Sequence, residues 1–418
     1  MIKAPGTIAS YSRFLFALFS ACGILAVLLL SSCGSNSDAV IVVSSEPIMY
    51  LYAEQYNSQH QGANIEVHYN SNPVDYRNKR QVMPDILIQP NPAGTYQMQW
   101  FQPLSVRLPQ ETYPQLAAQY SEVSEKRLLP LAFSLPIMVW HGDQPGAELP
   151  LTLGINQLAE MNTRKPGEGD LEYVQFLPIW NPAFLHWHLR SRGIHLNFQE
   201  EGVPSWNKDE LMREVSMLQD WTQEQAGTAA QIERFQEHYL YAPYYALLRQ
   251  ERVGYYAADL QEYASLPAQL KEDLDFAWFG SEGHIPVLSV LYAAIPVESR
   301  HKKEAQQFLQ WLISPETQKE LMEYTLEQEL PDFGFFGRLS ANSTVNEEEI
   351  PRLFPQLQGK SPVSSRLIFP PPMPYYWQEL ERDVIAPFLL DSILEDPPPQ
   401  HDELQQRINN WLAQQPKD

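Results

Sequence analysis

The sequence predicts an α/β protein built of two or three packed units, and three observations carry that prediction. Its 418 residues are 44% hydrophobic, 12% aromatic and 19% charged, the composition of a folded chain and not of a disordered tail. At ~150 residues per domain, that length makes two or three units with room for a cleft between them. From residue 39 onward a β-branched run, a helix-periodic segment and an alternating segment follow one another, which is the rhythm of strand, helix, strand.

The N-terminal segment reads as an address. Residues 1–13 carry Lys3 and Arg13 and no acid, and the whole stretch from Phe14 to Leu30 is then free of charge. That is a secretory signal pattern, for which a transmembrane helix of ~20 residues is the competing reading. Leu30-Ser31-Ser32-Cys33 resembles the bacterial lipoprotein box, in which the cysteine is diacylated and becomes the new N-terminus. The expectation is therefore a signal peptide over 1–32, lipidation at Cys33 and a polar tether over 33–38, with more than one acyl chain giving stable anchoring. The only other cysteine, Cys22, leaves with the signal, so the folded body has neither a disulfide nor a thiolate metal site. Removing Lys3 and Arg13 from 29 basic residues leaves 27 against 51 acidic ones, taking the net charge from -22 to -24. A chain that acidic repels a phosphate backbone, which excludes nucleic acid as a partner and favours an uncharged or cationic ligand.

In the mature chain, Ala39-Val40-Ile41-Val42-Val43 suits a strand buried on both faces of a parallel sheet. Met49, Tyr52 and Tyr56 fall on one face of a helix over 48–58, Ile65, Val67 and Tyr69 alternate with polar residues, and Ile86-Leu87-Ile88 follow Pro84-Asp85 as a further strand. Asn207 serves as an N-cap for a helix burying Leu211, Val215, Leu218 and Thr222. His301 to Ser314 repeats the pattern with Ala305, Phe308, Leu309 and Leu312, and Ser314-Pro315-Glu316 starts the next helix. Trp377, Leu380, Val384 and Phe388 form a late apolar stripe, and Leu404, Ile408 and Leu412 the last. The proline clusters at 370–372 and 397–399 read as stiff connectors.

Seven segments occur in an order that resembles the extracellular solute-binding proteins of bacterial ABC importers, the group that includes the maltose-binding protein. They are the opening strand, helix and NIEVHYN; MPDILIQPNPAGTYQMQWFQPLS; LLPLAFSLPIMVW; WNPAFLHWHLRSRG with the helix ending QDW; LLRQERVGYYAAD; VLYAAIPVESRHKKEAQQFLQWLISPETQKEL; and PMPYYWQELERDVI. The resemblance implies a type II periplasmic-binding-protein-like α/β fold, two lobes closing over a solute in a hinged cleft. It assigns 39–136 and 285–335 to lobe 1, and 137–284 and 336–418 to lobe 2.

Cleft residues should be polar or aromatic and should follow strands. On that basis the expected ligand-binding set is Ser45 and Glu46 after the first strand, Gln89 and Asn91 after the strand that begins at Asp85, Trp180 before the WHLRSRG helix, Tyr255 and Tyr256, and Tyr376 and Trp377 at the start of a late helix. In sugar-binding members of the family, aromatic residues at several such positions stack on pyranose faces. An aromatic ring serves a core as well as a cleft, and Trp377, which opens an apolar stripe, has both readings. Trp187, Trp221 and Trp311 sit within helices at core spacing. Tyr255-Tyr256-Ala257-Ala258-Asp259 departs from the family, carrying two rings and an acid where small residues and methionine are usual.

No other constellation stands out by its spacing. His186 and His188 are two apart and point in different directions on a helix, so they read as surface or helix-cap histidines, and His195 lies beyond Gly193. Gly280-Ser281-Glu282-Gly283 lacks the spacing of a nucleophile elbow. Glu347-Glu348-Glu349 read as a solvated helix start. The expectation is a monomeric, lipid-anchored, extracytoplasmic receptor of the cell envelope that uses no metal or cofactor and performs no chemistry. It takes a small solute, a carbohydrate by family prevalence, and passes it to an ABC permease. Two alternatives stay open: a surface lipoprotein enzyme acting on glycans, and a scaffold whose cleft is filled by its own side chains, Tyr255 and Tyr256 among them.

Overall fold

The computed structural model describes residues 39–415 apart from 75–82, 143–150, 163, 195, 199–202, 331 and 396–397. The expected signal segment, Cys33, the tether 33–38 and His195 lie outside the described residues. From Val40 onward the chain is one compact unit.

Strand β1 (Val40–Ser44) runs between β2 (Ile65–Tyr69) and β3 (Ile86–Pro90), parallel to both. Val40, Val42 and Val43 are accordingly buried, since a central parallel strand is covered on both faces. β2 is the sheet edge, and there the alternation ends in an exposed Tyr69. β4 (Leu129–Ser134) passes through Leu135 alone into β5 (Pro136–His141), which belongs to a second sheet with β6 (Thr152–Leu153). β7 (Asn197–Phe198) and β8 (Pro204–Ser205) pair with each other, and β9 (Tyr255–Asp259) and β10 (Leu274–Phe279) complete the second sheet in the order β6-β10-β5-β9.

The chain returns through β11 (Ile285–Pro286) to β12 (Ser289–Ala294), and β13 (Leu339–Ser340) closes the first sheet in the order β13-β4-β12-β3-β1-β2. β14 (Leu367–Ile368) pairs with β11. The chain thus stays with the large sheet past residue 335, where the sequence reading ends lobe 1, because a turn at Gly334–Gly337 folds β13 back onto β4.

Helix boundaries follow their caps. Asn207 Oδ1 accepts from the amides of Asp209 (3.1 Å) and Glu210 (3.2 Å) and starts Lys208–Gln225, and Ser314 Oγ accepts from Thr317 N (3.3 Å) and starts Pro315–Glu327. Ala305, Phe308, Leu309 and Leu312 of Lys302–Leu312 are fully buried. The late stripe from Trp377 to Phe388 is buried as expected, but the helix carrying it is interrupted by a wider turn over Glu381–Ile385. No helix among the described residues is long and apolar enough to cross a membrane.

His186 and His188 depart from the sequence reading. Neither is at a surface: each is 1% exposed. Their helix, Pro182–Ser191, is buried from Phe184 to Ser191 because helix Ala386–Leu394 and β11 both pack on it. His186 Nδ1 is hydrogen-bonded to Glu381, and His188 Nε2 lies 2.9 Å from Glu214 Oε1, which is also 3.2 Å from Arg192 Nε. Burial pushes the His188 pKa down, and Glu214 only partly opposes it, so this histidine serves as a neutral hydrogen-bonding group.

Candidate functional site

The first sheet meets the second where β4 turns over into β5, and meets the small β11–β14 pair where β11 leads into β12. Ser134-Leu135-Pro136 crosses from β4 to β5, and Val287-Leu288 leads from β11 to β12. The crossings are tied together: Leu288 N donates to Ser134 O (2.9 Å), the Ser134 and Ser289 hydroxyls are 3.2 Å apart, Leu260 N donates to Leu135 O (3.0 Å) and Val287 N to Ile368 O (2.9 Å). Two short, bonded crossings between sheets are the construction of a hinge.

β9 ends beside this hinge, with Asp259 in register opposite Pro136. Asp259 caps the short helix Leu260–Ala264, its Oδ1 accepting from Gln261 N at 2.8 Å. Facing it is the turn that leads to β13. Gly337 there has φ +69°, a conformation that favours glycine, and the Gln261 side chain lies against it, 2.5 Å from where a Cβ would stand. Between them lies a cavity of about 390 Å³ lined by Asp259, Gln261, Glu262 and Ser265 from the small-sheet side and by Asp332 and Phe333 from the large-sheet side. Glu262 stands at its solvent-exposed rim, and Asp332 is half-buried opposite.

Behind the cavity wall, the Arg338 guanidinium donates to Phe336 O (2.7 Å) and pairs with Glu46 Oε2 at 3.0 Å. Ser45 Oγ in turn donates to Glu46 Oε1 (3.1 Å). The end of β1, the 332–338 turn and the end of β9 therefore converge, although they come from three distant parts of the chain. Burial raises the pKa of Asp259, with the Gln261 amide and Arg338 partly relieving it. Desolvation by the surrounding protein together with the charge of Asp259 pushes Glu262 up to about 6, and burial with the charge of Glu46 raises Asp332. Each carboxylate holds its proton more tightly than in water chiefly because burial disfavours its charged form, and at Glu262 and Asp332 a neighbouring acid adds to that.

None of the nine expected ligand-binding residues lines this cavity. Ser45 and Glu46 stand behind it, through Arg338. Gln89 and Asn91 are each 4% exposed: the Gln89 amide is occupied by Val74 N (3.1 Å) and Asn91 O (3.4 Å), and their loop is closed over by Pro374, which a Cβ on Gly94 would approach to 3.1 Å. Tyr255 (1% exposed) and Trp377 (4%) are core side chains, Trp377 lying 5.5 Å from the His186 ring. Tyr376 is half-buried near Trp411 at 5.9 Å.

Trp180 and Tyr256 keep partly open rings near β9. Tyr256 stacks face to face on Tyr244 (4.4 Å, 6°), Trp180 meets the edge of Phe235 at 5.6 Å, and the neighbouring Asn181 donates to Ala257 O of β9 (3.2 Å). Asp259 stands out in the sequence as an acid that departs from the family pattern. Gln261, Glu262, Asp332 and Arg338 escape the sequence reading, and the one signal for the last two is the double-glycine turn in DFGFFGR.

No protein-family model and no curated protein matches the sequence. Solved structures do. The sugar-binding protein MalE from the phytopathogen Xanthomonas citri superposes with a TM-score of 0.64 at 11% identity, covering 91% of this chain and 100% of that one. A sugar transporter from Rhizobium etli in an open conformation gives 0.63 at 13%, covering 90% and 100%. The GacH receptor of Streptomyces glaucescens, solved unliganded and with acarbose, gives 0.59 at 14%, covering 90% and 97%. The chain has the type II periplasmic-binding-protein fold. In a type II periplasmic-binding-protein fold the two sheets are the cores of two lobes, and a cavity walled by both lies where hinge motion would open or close it.

Proposed function

We propose that the protein is an extracytoplasmic solute-binding protein, anchored through lipid on Cys33, that captures a small carbohydrate-like solute and delivers it to an ABC permease. The observation that carries the reading is the cavity between Asp259–Ser265 and Asp332–Phe333, walled from both sheets and adjoining the bonded crossings. A protein described as sugar-binding, one described as a sugar transporter and a receptor solved with acarbose share the fold over nine-tenths of the chain, which supports a carbohydrate as the solute. In this reading lobe 1 is 39–136 with 285–335, extended to include β13, and lobe 2 is 137–284 with the rest of 336–418. The partly open rings of Trp180 and Tyr256 supply apolar plates of the kind that pack on sugar faces.

Saturable binding without turnover is the expected behaviour. A bound solute at 100 times its dissociation constant stabilises the protein by about 2.7 kcal/mol, so thermal unfolding of the mature protein against a panel of maltotetraose, acarbose and other oligosaccharides tests the reading. Hydrolysis of any panel member would replace it with the enzyme alternative, and a panel without a single shift would favour the scaffold. Tyr256→Ala should weaken solute binding about two- to tenfold, the loss of one aromatic contact of ~0.5–1.5 kcal/mol, as measured by calorimetric titration. Tyr255 is unsuitable for this test because its ring is core. Metabolic labelling with a radioactive fatty acid tests the anchor, with incorporation expected in the native chain and lost in Cys33→Ser.

A further inference from the structure

We infer that residues 364–376 form a strap that latches the two lobes together over the loop after β3 when no solute is bound, so that the lobes part there only when 370–375 lifts off 94–100. This rests on the two-lobe reading above and not on what the solute is.

Both ends of the strap are fastened on the small-sheet side. Lys360 precedes it, its carbonyl accepting from Trp278 Nε1 of β10 at 2.7 Å while its ammonium donates to Phe276 O at 2.8 Å and pairs with Asp275. Trp377 follows it, 4% exposed, beside the His186 ring of helix Pro182–Ser191. Between these anchors the chain lies on the large-sheet side. Ile368 O accepts the Val287 amide at the crossing (2.9 Å), Phe369 packs against Phe133 (5.2 Å) and Tyr113 (6.0 Å), Pro374 comes against Gly94, and the Tyr375 ring lies 5.9 Å from Trp100. The contacts run from beside the hinge to the loop at 94–100, and the lobes cannot part at that loop while they hold.

The chemistry of the strap suits a contact that is made and broken as a unit. Pro370, Pro371, Pro372 and Pro374 carry no amide hydrogen and hold a stiff extended backbone, so this stretch joins no sheet ladder and loses little conformational entropy when it docks. Its polar hold comes from two glutamines one turn apart: Gln119 Nε2 donates to Pro370 O (2.8 Å) and Gln115 Nε2 to Ser364 O (3.4 Å). Pro372, Met373 and Pro374 are buried, whereas Tyr375 and Tyr376 are half-buried and Pro371 is exposed, so the outer edge of the contact is open to water. Beneath it are Gln89 and Asn91, each 4% exposed. They follow the carboxyl end of a strand, where an α/β fold receives its ligand, and the strap denies that loop to a solute.

Gly94 offers a wedge against the strap. Its backbone (φ -80°, ψ 179°) is one that any residue adopts, and the three atoms nearest an added Cβ all belong to Pro374, its N at 3.1 Å and its Cα and Cγ at 3.3 Å. Gly94→Ala should loosen the latch and Gly94→Val release it, with Gly62→Ala, whose Cβ meets nothing within 4 Å, as the control. With Cys33→Ser the full mature chain has no cysteine of its own, so spin labels attach only at Glu54→Cys and Tyr241→Cys, both exposed positions, one on each lobe. Pulsed electron-spin distance measurements without solute should give one narrow distance in the native chain and in Gly62→Ala, and a distance in Gly94→Val longer by more than the native spread, with Gly94→Ala between them; thermal unfolding checks that each variant is folded. Tyr375→Ala, which takes a ring off Trp100 without adding bulk, should shift the distance the same way and replaces Gly94→Val if the valine prevents folding. Folded wedge variants that keep the native distance would overturn the inference, because the strap would then pack without holding the lobes. A native chain already as broad as Gly94→Val would overturn it too, because nothing would be latched. No solute enters the measurement, so an oligosaccharide panel that failed to bind would leave its result unchanged.

Discussion

Replacing Asp85 with alanine will destabilise the protein by about 3–5 kcal/mol, the range for stripping one partner from a buried, multiply bonded charge. Asp85 is 3% exposed at the start of β3. Its Oδ1 accepts from Ser299 Oγ (2.8 Å) and from the amides of Arg300 (3.1 Å) and His301 (3.2 Å), while Oδ2 accepts from Ile41 N (3.0 Å) and lies 3.0 Å from His301 Nδ1. One carboxylate therefore joins β1, the approach to β3 and the start of helix Lys302–Leu312, whose own cap position supplies no side-chain cap bond.

Burial alone would raise the Asp85 pKa, but the donors from Ile41, His301 and Ser299 outweigh it and hold the group below the ordinary aspartate value. The sign follows from linkage. A carboxylate with a depressed folded pKa contributes stability that is fully present above its unfolded value of ~3.9 and is lost as the pH falls through the folded one. Urea unfolding of the native chain should thus lose stability on acidification through that window, and Asp85→Ala should be weaker at neutral pH with a flatter acid limb. A variant as stable as the native chain, within the scatter of ordinary surface substitutions, would mean that these contacts do not hold the fold together.

Local chemistry explains what the sequence made legible. The opening VIVVS run, the Asn207 and Ser314 caps and the apolar stripe of the helix after His301 are all set by neighbours close in the chain, and all appear as read. Trp187 and Trp221 are core, as their helical spacing implies, and Trp311 is half-buried against Tyr56. Depth is not legible. Gln89 and Asn91 qualify as cleft candidates because they follow a strand, but whether such a loop faces a cleft depends on Pro374, which arrives from near the other end of the chain. His186 and His188 escape the sequence reading for the same reason: a helix with polar residues looks solvated until a second helix, Ala386–Leu394, is laid over it.

The cavity acids pose the harder case. With 51 acidic residues in the chain, no spacing rule singles out Glu262 and Asp332, which become neighbours only after the DFGFFGR turn has folded against Gln261. What identifies them is the cavity they line from opposite sides, a property of three-dimensional structure alone. Asp85 is the mirror image. In the sequence Asp85 only marks where a strand begins, and its importance comes from donors at Ser299, Arg300 and His301, in a distant part of the chain.

Arg190→Met is expected to cost about 2–6 kcal/mol and, separately, to change how solute binding couples to lobe movement. Arg190 is 8% exposed on helix Pro182–Ser191, and its guanidinium donates to the carbonyl oxygens of Val287 and, at 3.3 Å, Leu288. Those are the residues by which the chain passes from β11, paired with β14, into β12 of the first sheet. Burial pulls the guanidinium pKa down to about 10, partly opposed by the charge of Glu381, so the group stays charged at neutral pH.

Methionine keeps much of the stem volume, which separates the effect of lost donors from that of a cavity, and two buried carbonyls left without their donor account for the estimated loss at ~1–3 kcal/mol each. Lysine should recover only part of it, because a single ammonium does not reproduce the planar fork that reaches both oxygens. If the crossing is held in one geometry by this fork, its removal broadens the range of lobe openings. X-ray scattering of the free Arg190→Met protein should then show a larger mean dimension that returns to the native value when solute binds. Unchanged scattering together with the stability loss would confine Arg190 to a packing role and leave the hinge to the Ser134, Leu135 and Leu288 backbone bonds.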